Sequence, residues 1–123
     1  MHWDIEYLEE FRTIHIRYSG TSNAEHFKRS FEECVSLAGK YKVNRFLVDT
    51  TEYTPALSAA DIYGFPKAYA QLLVERQTRF AVIQPENPVT RKNLAFFETV
   101  CRNSGYLVKL FEDKESAMAW LID

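Results

Sequence analysis

A chain of 123 residues, 46% hydrophobic and 26% charged, can close one core without metals or disulfides and is too short for two. With 15 Lys and Arg against 17 Asp and Glu, the net charge of -2 lacks the basic stripe that counterion release requires, so nucleic acid is not an expected partner. No apolar run approaches the roughly 20 residues of a spanning helix, which excludes insertion in a bilayer.

The opening "MHWDIEYLEE" is acidic and alternating, the opposite of a secretory leader, and a cytoplasmic location is expected. Trp3, Ile5 and Tyr7 share one face of a first strand and Asp4, Glu6 and Leu8 the other. "FRTIHIRYSG" repeats the pattern, with Ile14, Ile16 and Tyr18 opposite Thr13, His15 and Arg17, and the short "EEF" between them suits a hairpin. Ser22 precedes Glu25 at capping-box spacing. Ala24, Phe27, Phe31, Cys34, Val35 and Ala38 then recur at helical intervals, predicting a helix over about residues 23 to 38 that Gly39 stops.

"RFLVD" and "RFAVIQ" are short and continuously apolar, as central parallel strands covered on both faces are. Between them Ile62, Phe65, Tyr69, Leu72 and Leu73 form one helical face, broken by Gly64 and Pro66 into a kinked or two-part helix. "QPENPVTRKN" leads into a helix through Leu94, Phe97, Val100 and Cys101, which Asn103, Ser104 and Gly105 end. "YLVKLFE" is a last strand, and Asp113 caps a closing helix with Ala117, Met118, Trp120 and Leu121. Cys34 and Cys101 both fall on apolar helix faces, where a free, buried thiol is expected.

The order is one ββα unit followed by three βα units, which makes a single-domain α/β fold: a mixed sheet flanked by helices. Contacts with other molecules gather beyond the carboxyl ends of parallel strands. Three loops are therefore candidates, over residues 19 to 22, 49 to 58 and 84 to 91.

The C-terminal run "NLAFFETVCRNSGYLVKLFEDKESAMAWL" carries a Phe-Phe-Glu-x-Val helix at 96 to 100, an Arg-Asn-x-Gly turn at 102 to 105 and a Val-x-Leu-Phe strand at 108 to 111. The capping Asp113 and an Ala-Trp-Leu helix at 119 to 121 follow; with "DIYGFPKAY" after the middle strand, the whole chain resembles the SpoIIAA-like branch of STAS-type domains. The resemblance implies a bacterial, cytoplasmic signalling domain that binds a protein partner or itself and is not an enzyme. It also implies, from the antagonists of that group, a phosphorylated serine at the start of the helix after the middle strand, in an Asp-Ser-Ser/Thr-Gly context. Here the loop is longer, contains Pro55, and reads Leu57-Ser58-Ala59-Ala60, so only Ser58 is comparable.

Ser58 with Asp61 also has the spacing of a capping box, a local role that explains the serine by itself. Thr50, Thr51 and Thr54 would satisfy the loop backbone before Pro55, and Asp49 lacks the second carboxylates or Gly-rich loop that a Mg²⁺ site needs. At "NPVTRKN", Pro88 fits the first helical position. Arg91 and Lys92 then lie near the positive end of the helix, where cations are mildly costly unless an anion shares the site. His2, His15 and His26 show no metal-ligand spacing, no nucleophile stands beside a base, and no cofactor is expected. Tyr53 and Tyr63 lie off the core stripe, positions that suit a pocket or partner surface. The expected contact surface is the strand-end rim at Asp49, Thr50, Thr51, Ser58, Thr90 and Arg91. The rival expectation is a small apolar or anionic ligand held beneath residues 53 to 69.

Overall fold

The computed structural model describes residues 2 to 55 and 57 to 123, apart from the side chains of Ser22 and Pro55. Strands β1 (His2–Leu8) and β2 (Thr13–Ser22) form an antiparallel hairpin through a 3-10 turn at Glu9–Phe11. Then come α1 (Ala24–Tyr41), β3 (Arg45–Pro55), α2 (Ala59–Tyr63), α3 (Phe65–Gln71), β4 (Arg79–Ile83), α4 (Pro88–Asn103), β5 (Leu107–Phe111) and α5 (Lys114–Ile122). The sheet order is β1-β2-β3-β4-β5, with β2 through β5 parallel. The two greasy segments are the adjacent strands β3 and β4, with Phe46 opposite Phe80 and Val48 opposite Val82.

Because the parallel strands succeed one another without reversal, crossovers of one hand put α1, the α2–α3 pair and α4 on the same face. That face holds the main core, in which Phe31 stacks on Tyr69 at 4.4 Å, Phe46 on Phe80 at 5.0 Å and Tyr69 on Phe80 at 5.4 Å. Among the described residues, α5 alone covers the other face, closing Leu47, Ala81 and Ile83 under Ala117 and Leu121. The uncovered part of that face carries a row of alternating charge, Asp4 beside Arg17 beside Asp49. Cys34 and Cys101 are free and buried, and burial pushes both thiols up to about 12.

Several sequence expectations need correction, beginning with α1 and the residues after α3. The Ser22 side chain lies outside the described residues; the cap of α1 is Asn23, whose Oδ1 accepts from His26 N at 2.9 Å. Gly39 does not stop the helix. It lies inside α1, and the left-handed residue is Lys42 (φ 56°), with Val43 N donating to Ala38 O and Lys42 N to Gly39 O. The end falls there because Val43 packs on the core, the apolar contact that goes with this type of stop. Leu73 leaves the core stripe: at φ 59° just beyond α3 it is 85% exposed, while Leu72 stays half-buried.

The largest difference concerns residues 49 to 55. They form no loop but continue β3, pairing with residues 19 to 22 of β2. Opposite Arg17 and Ser19 stand Asp49 and Glu52, so β3 carries one residue more than β2 at that point. Its surplus N–H is satisfied by its neighbour: Thr51 N (2.9 Å) and Thr51 Oγ1 (2.7 Å) both donate to Asp49 Oδ1. The shift reverses the alternation, so Tyr53 turns into the core against Tyr18 at 5.1 Å.

Two predictions follow from this packing. A Cβ on Gly39 would meet nothing within 4 Å, so Gly39→Ala should raise unfolding free energy by about 0.5–1 kcal/mol in urea titrations. His15, on the α5 side, has a buried Nε2 without a hydrogen-bond partner. Burial lowers its pKa below 6.5, Lys114 and Arg17 lower it further, and Asp49 and Glu6 partly offset them. The unfolded chain therefore binds the proton more readily, and stability present above pH 6.5 is lost as pH falls through the folded value. The urea midpoint should drop between pH 7.5 and pH 5, and His15→Gln should flatten part of that slope.

Candidate functional site

Beyond the bulge, β3 carries the chain past the last residue of β4 and delivers α2 beside the start of α4. An open groove of about 850 Å³ lies between the two helix starts. Leu57, Ser58 and Ile62 line one wall, Val89, Lys92 and Phe96 the other. Asn93 Nδ2 donates to Leu57 O at 3.5 Å, and Tyr63 meets Phe96 edge to face at 5.2 Å. Val89 is 78% exposed and Tyr63 64%, so two large apolar side chains face solvent at one rim.

Both helix starts are capped from within. Ser58 Oγ accepts from Asp61 N at 3.1 Å while Asp61 Oδ2 accepts from Ser58 N at 2.9 Å, the full capping box that the spacing predicts. At α4, Asn87 Oδ1 accepts from Val89 N at 2.9 Å and Thr90 N at 3.2 Å, and Pro88 at the first position has no N–H to satisfy. Arg91 is held by the chain's own acid. Its Nε donates to Pro85 O at 2.7 Å and both terminal nitrogens donate to Glu112, which also accepts from Gln84. The hydrogen bonds from Arg91 lower the Glu112 pKa below its ordinary value. The anion that the sequence asks for at this helix start is thus supplied from the end of β5.

The six residues expected at the rim do not form one cluster. Ser58 and Thr90 line the groove, although Thr90 is 2% exposed and shows only an edge. Thr50, also 2% exposed, donates from Oγ1 to Ile83 O at 2.7 Å and ties β3 to the last carbonyl of β4. Asp49 and Thr51 form the bulge latch, and Arg91 reaches away to Glu112. Leu57, Val89 and Phe96, which supply most of the apolar surface, were not among the expected residues. Their sequence signal is that Val89 and Phe96 are apolar yet fall off the buried stripe of Leu94, Phe97, Val100 and Cys101. Of the tyrosines off the stripe, Tyr63 is exposed and Tyr53 is core.

Beneath residues 53 to 69 the interior keeps only a void of about 40 Å³, walled by Tyr18, Tyr53, Phe65, Tyr69 and Phe97. That is room for on the order of three waters, against roughly 300–1,000 Å³ in ligand pockets. Outside it, a groove of about 490 Å³ runs between α1 and the α2–α3 pair, but the stacked rings of Phe27 and Phe65, 4.8 Å apart, stand between groove and void. Among the described residues no group of three or more His, Cys, Asp or Glu is placed to hold a metal, and no helix is long and apolar enough to cross a membrane.

With this geometry, similarity to solved structures becomes informative. The anti-sigma factor antagonist SpoIIAA in its unphosphorylated form superposes with a TM-score of 0.57 at 16% identity, over 94% of this chain and 92% of that one. The Bacillus cell fate determinant SpoIIAA in its phosphorylated form gives 0.58 at 17% identity, over 97% and 98%. The fold is SpoIIAA-like. An uncharacterised protein of the DUF3478 family with a SpoIIAA-like fold, from Shewanella loihica PV-4, gives 0.60 at 21% identity, over 98% of this chain and 92% of that one. No protein-family model and no curated protein matches the sequence. At these identities the likeness establishes the SpoIIAA-like, STAS-type architecture expected from the sequence.

The capping box gives the rim its own test. Ser58→Ala should cost about 0.5–2 kcal/mol of stability in urea titrations, and Ser58→Asp, which can still cap, should recover most of it.

Proposed function

We propose that this SpoIIAA-like domain works by binding rather than by catalysis, and that it engages a protein partner or a second copy of itself through the strand-end rim. The observation that carries the proposal is the groove between α2 and α4, where two exposed apolar side chains, Val89 and Tyr63, stand beside Leu57 and Phe96 at one rim. Asp49, Thr50 and Thr51 act by fixing the path of β3, Thr90 by setting the groove wall, and Ser58 by presenting the start of α2. Arg91 holds the start of α4 against β5. The dimensions of the interior void favour a protein over an enclosed small molecule. The solved structures this fold resembles include the anti-sigma factor antagonist SpoIIAA in unphosphorylated and phosphorylated forms. Phosphorylation of Ser58 here would break the capping box and set a dianion beside Asp61 at the groove wall, so it would regulate binding by closing the rim to acidic partners.

Affinity capture from the native host, with sedimentation velocity for self-association, tests this reading. Wild type should bind and Val89→Glu should lose most of that binding, while Leu73→Ser on the opposite rim should retain it. Binding indifferent to Val89→Glu, or abolished by Leu73→Ser, would contradict the assignment.

A further inference from the structure

Among the described residues, Lys92 is the one charged side chain that lines the groove, and it is exposed. Its neighbour Arg91 is neutralised by Glu112, but among the described residues no carboxylate comes within 4.0 Å of the Lys92 ammonium. It projects from the start of the second turn of α4, one turn in from the positive end of the helix. A cation left uncompensated there, next to exposed Val89, is a favourable place for an incoming negative charge. We infer that the partner of this groove, on the reading proposed above, is a peptide segment presenting a single carboxylate, an Asp or Glu, next to an apolar side chain. The carboxylate pairs with Lys92, and the apolar side chain packs among Leu57, Val89 and Phe96.

The chemistry around the groove selects carboxylate over phosphate. Phosphate recognition at a helix start relies on free backbone N–H groups. In α4, Asn87 already takes those of Val89 and Thr90, Arg91 N donates to Asn87 O at 3.0 Å, and Pro88 has none. A dianion would also lie near Glu86, just before the helix, whose charge acts on Arg91. A monoanion needs one ammonium, which is what the groove offers.

A displayed library of random 12-residue peptides, selected on the full chain and in parallel on Lys92→Glu, tests the inference; Lys92→Ala checks that charge reversal has not disturbed the fold. Peptides selected on wild type should place Asp or Glu beside Leu, Ile, Val or Phe and should shift the amides of Leu57, Val89 and Phe96. They should bind Lys92→Glu about five- to tenfold more weakly, a loss of the size of one exposed ion pair turned repulsive. Selection on Lys92→Glu should instead enrich Lys or Arg. Apolar peptides that occupy the groove without an acidic residue, or a phosphoserine version that outbinds the carboxylate, would overturn the inferred chemistry and leave the interface standing. Peptides that map elsewhere, or no selected peptide at all, would overturn the chemistry and the interface together.

Discussion

One surplus residue in β3, between Asp49 and Glu52, decides where the rest of the rim lies. Were β3 to run on in even register, Tyr53 would face away from the main core and lose its packing on Tyr18. The insertion costs a backbone N–H that the ladder cannot take. Asp49 takes it, and its hydrogen bonds to Thr51 are charge-assisted, a class worth about 1.5–3 kcal/mol each when shielded and less at this half-buried position. With the alternation reset, Tyr53 anchors the extension and Thr50 ties the last carbonyl of β4. The chain then arrives at Ser58 above the end of β4, and α2 opens facing α4. The groove is a consequence of that path.

Electrostatics at the rim are then settled locally. A single-handed run of crossovers gathers the starts of α2 and α4 at one end of the sheet, and each start is closed by its own side chains. Arg91, poorly placed with respect to the α4 dipole, is compensated by Glu112 from across the sheet end, and Gln84 donates to the same carboxylate. At the opposite end, cations serve helix and strand carbonyls instead. Arg79 donates to Trp120 O at 2.5 Å and Arg102 to Val108 O at 2.7 Å, where the negative ends of α5 and α4 lie. The groove is therefore an apolar surface beside helix starts whose caps and Arg91 are already satisfied, with Lys92 at its wall.

How much of this the sequence makes legible depends on how far apart the interacting residues are. The apolar runs at Phe46 and Phe80 give the two central strands, and the Ser58-to-Asp61 and Asp113 caps are local patterns that hold. The break at Gly64 separates α2 from α3 as the glycine and proline there require. The start of α1 is misread by one residue because two capping residues stand side by side, and β2 pairing out to Ser22 leaves the cap to Asn23. The bulge is invisible locally, since a surplus residue exists only relative to a partner strand. "DTTEYTP" therefore reads as a polar linker when it is a strand. The Arg91 partner lies 21 residues away in sequence, beyond any spacing rule. Val89 and Phe96 are hard to read as groove residues from sequence, because apolar side chains are ordinarily counted as core.

The extension of β3 past its bulge supports everything proposed for the rim, and nuclear Overhauser contacts across the β2–β3 pair test it most directly. The account predicts cross-strand backbone contacts between Gly20 and Tyr53 and between Thr21 and Thr54, together with contacts between the rings of Tyr18 and Tyr53. Absence of the cross-strand contacts, with amides 52 to 54 exchanging as a free loop does, would contradict it and remove the groove with it.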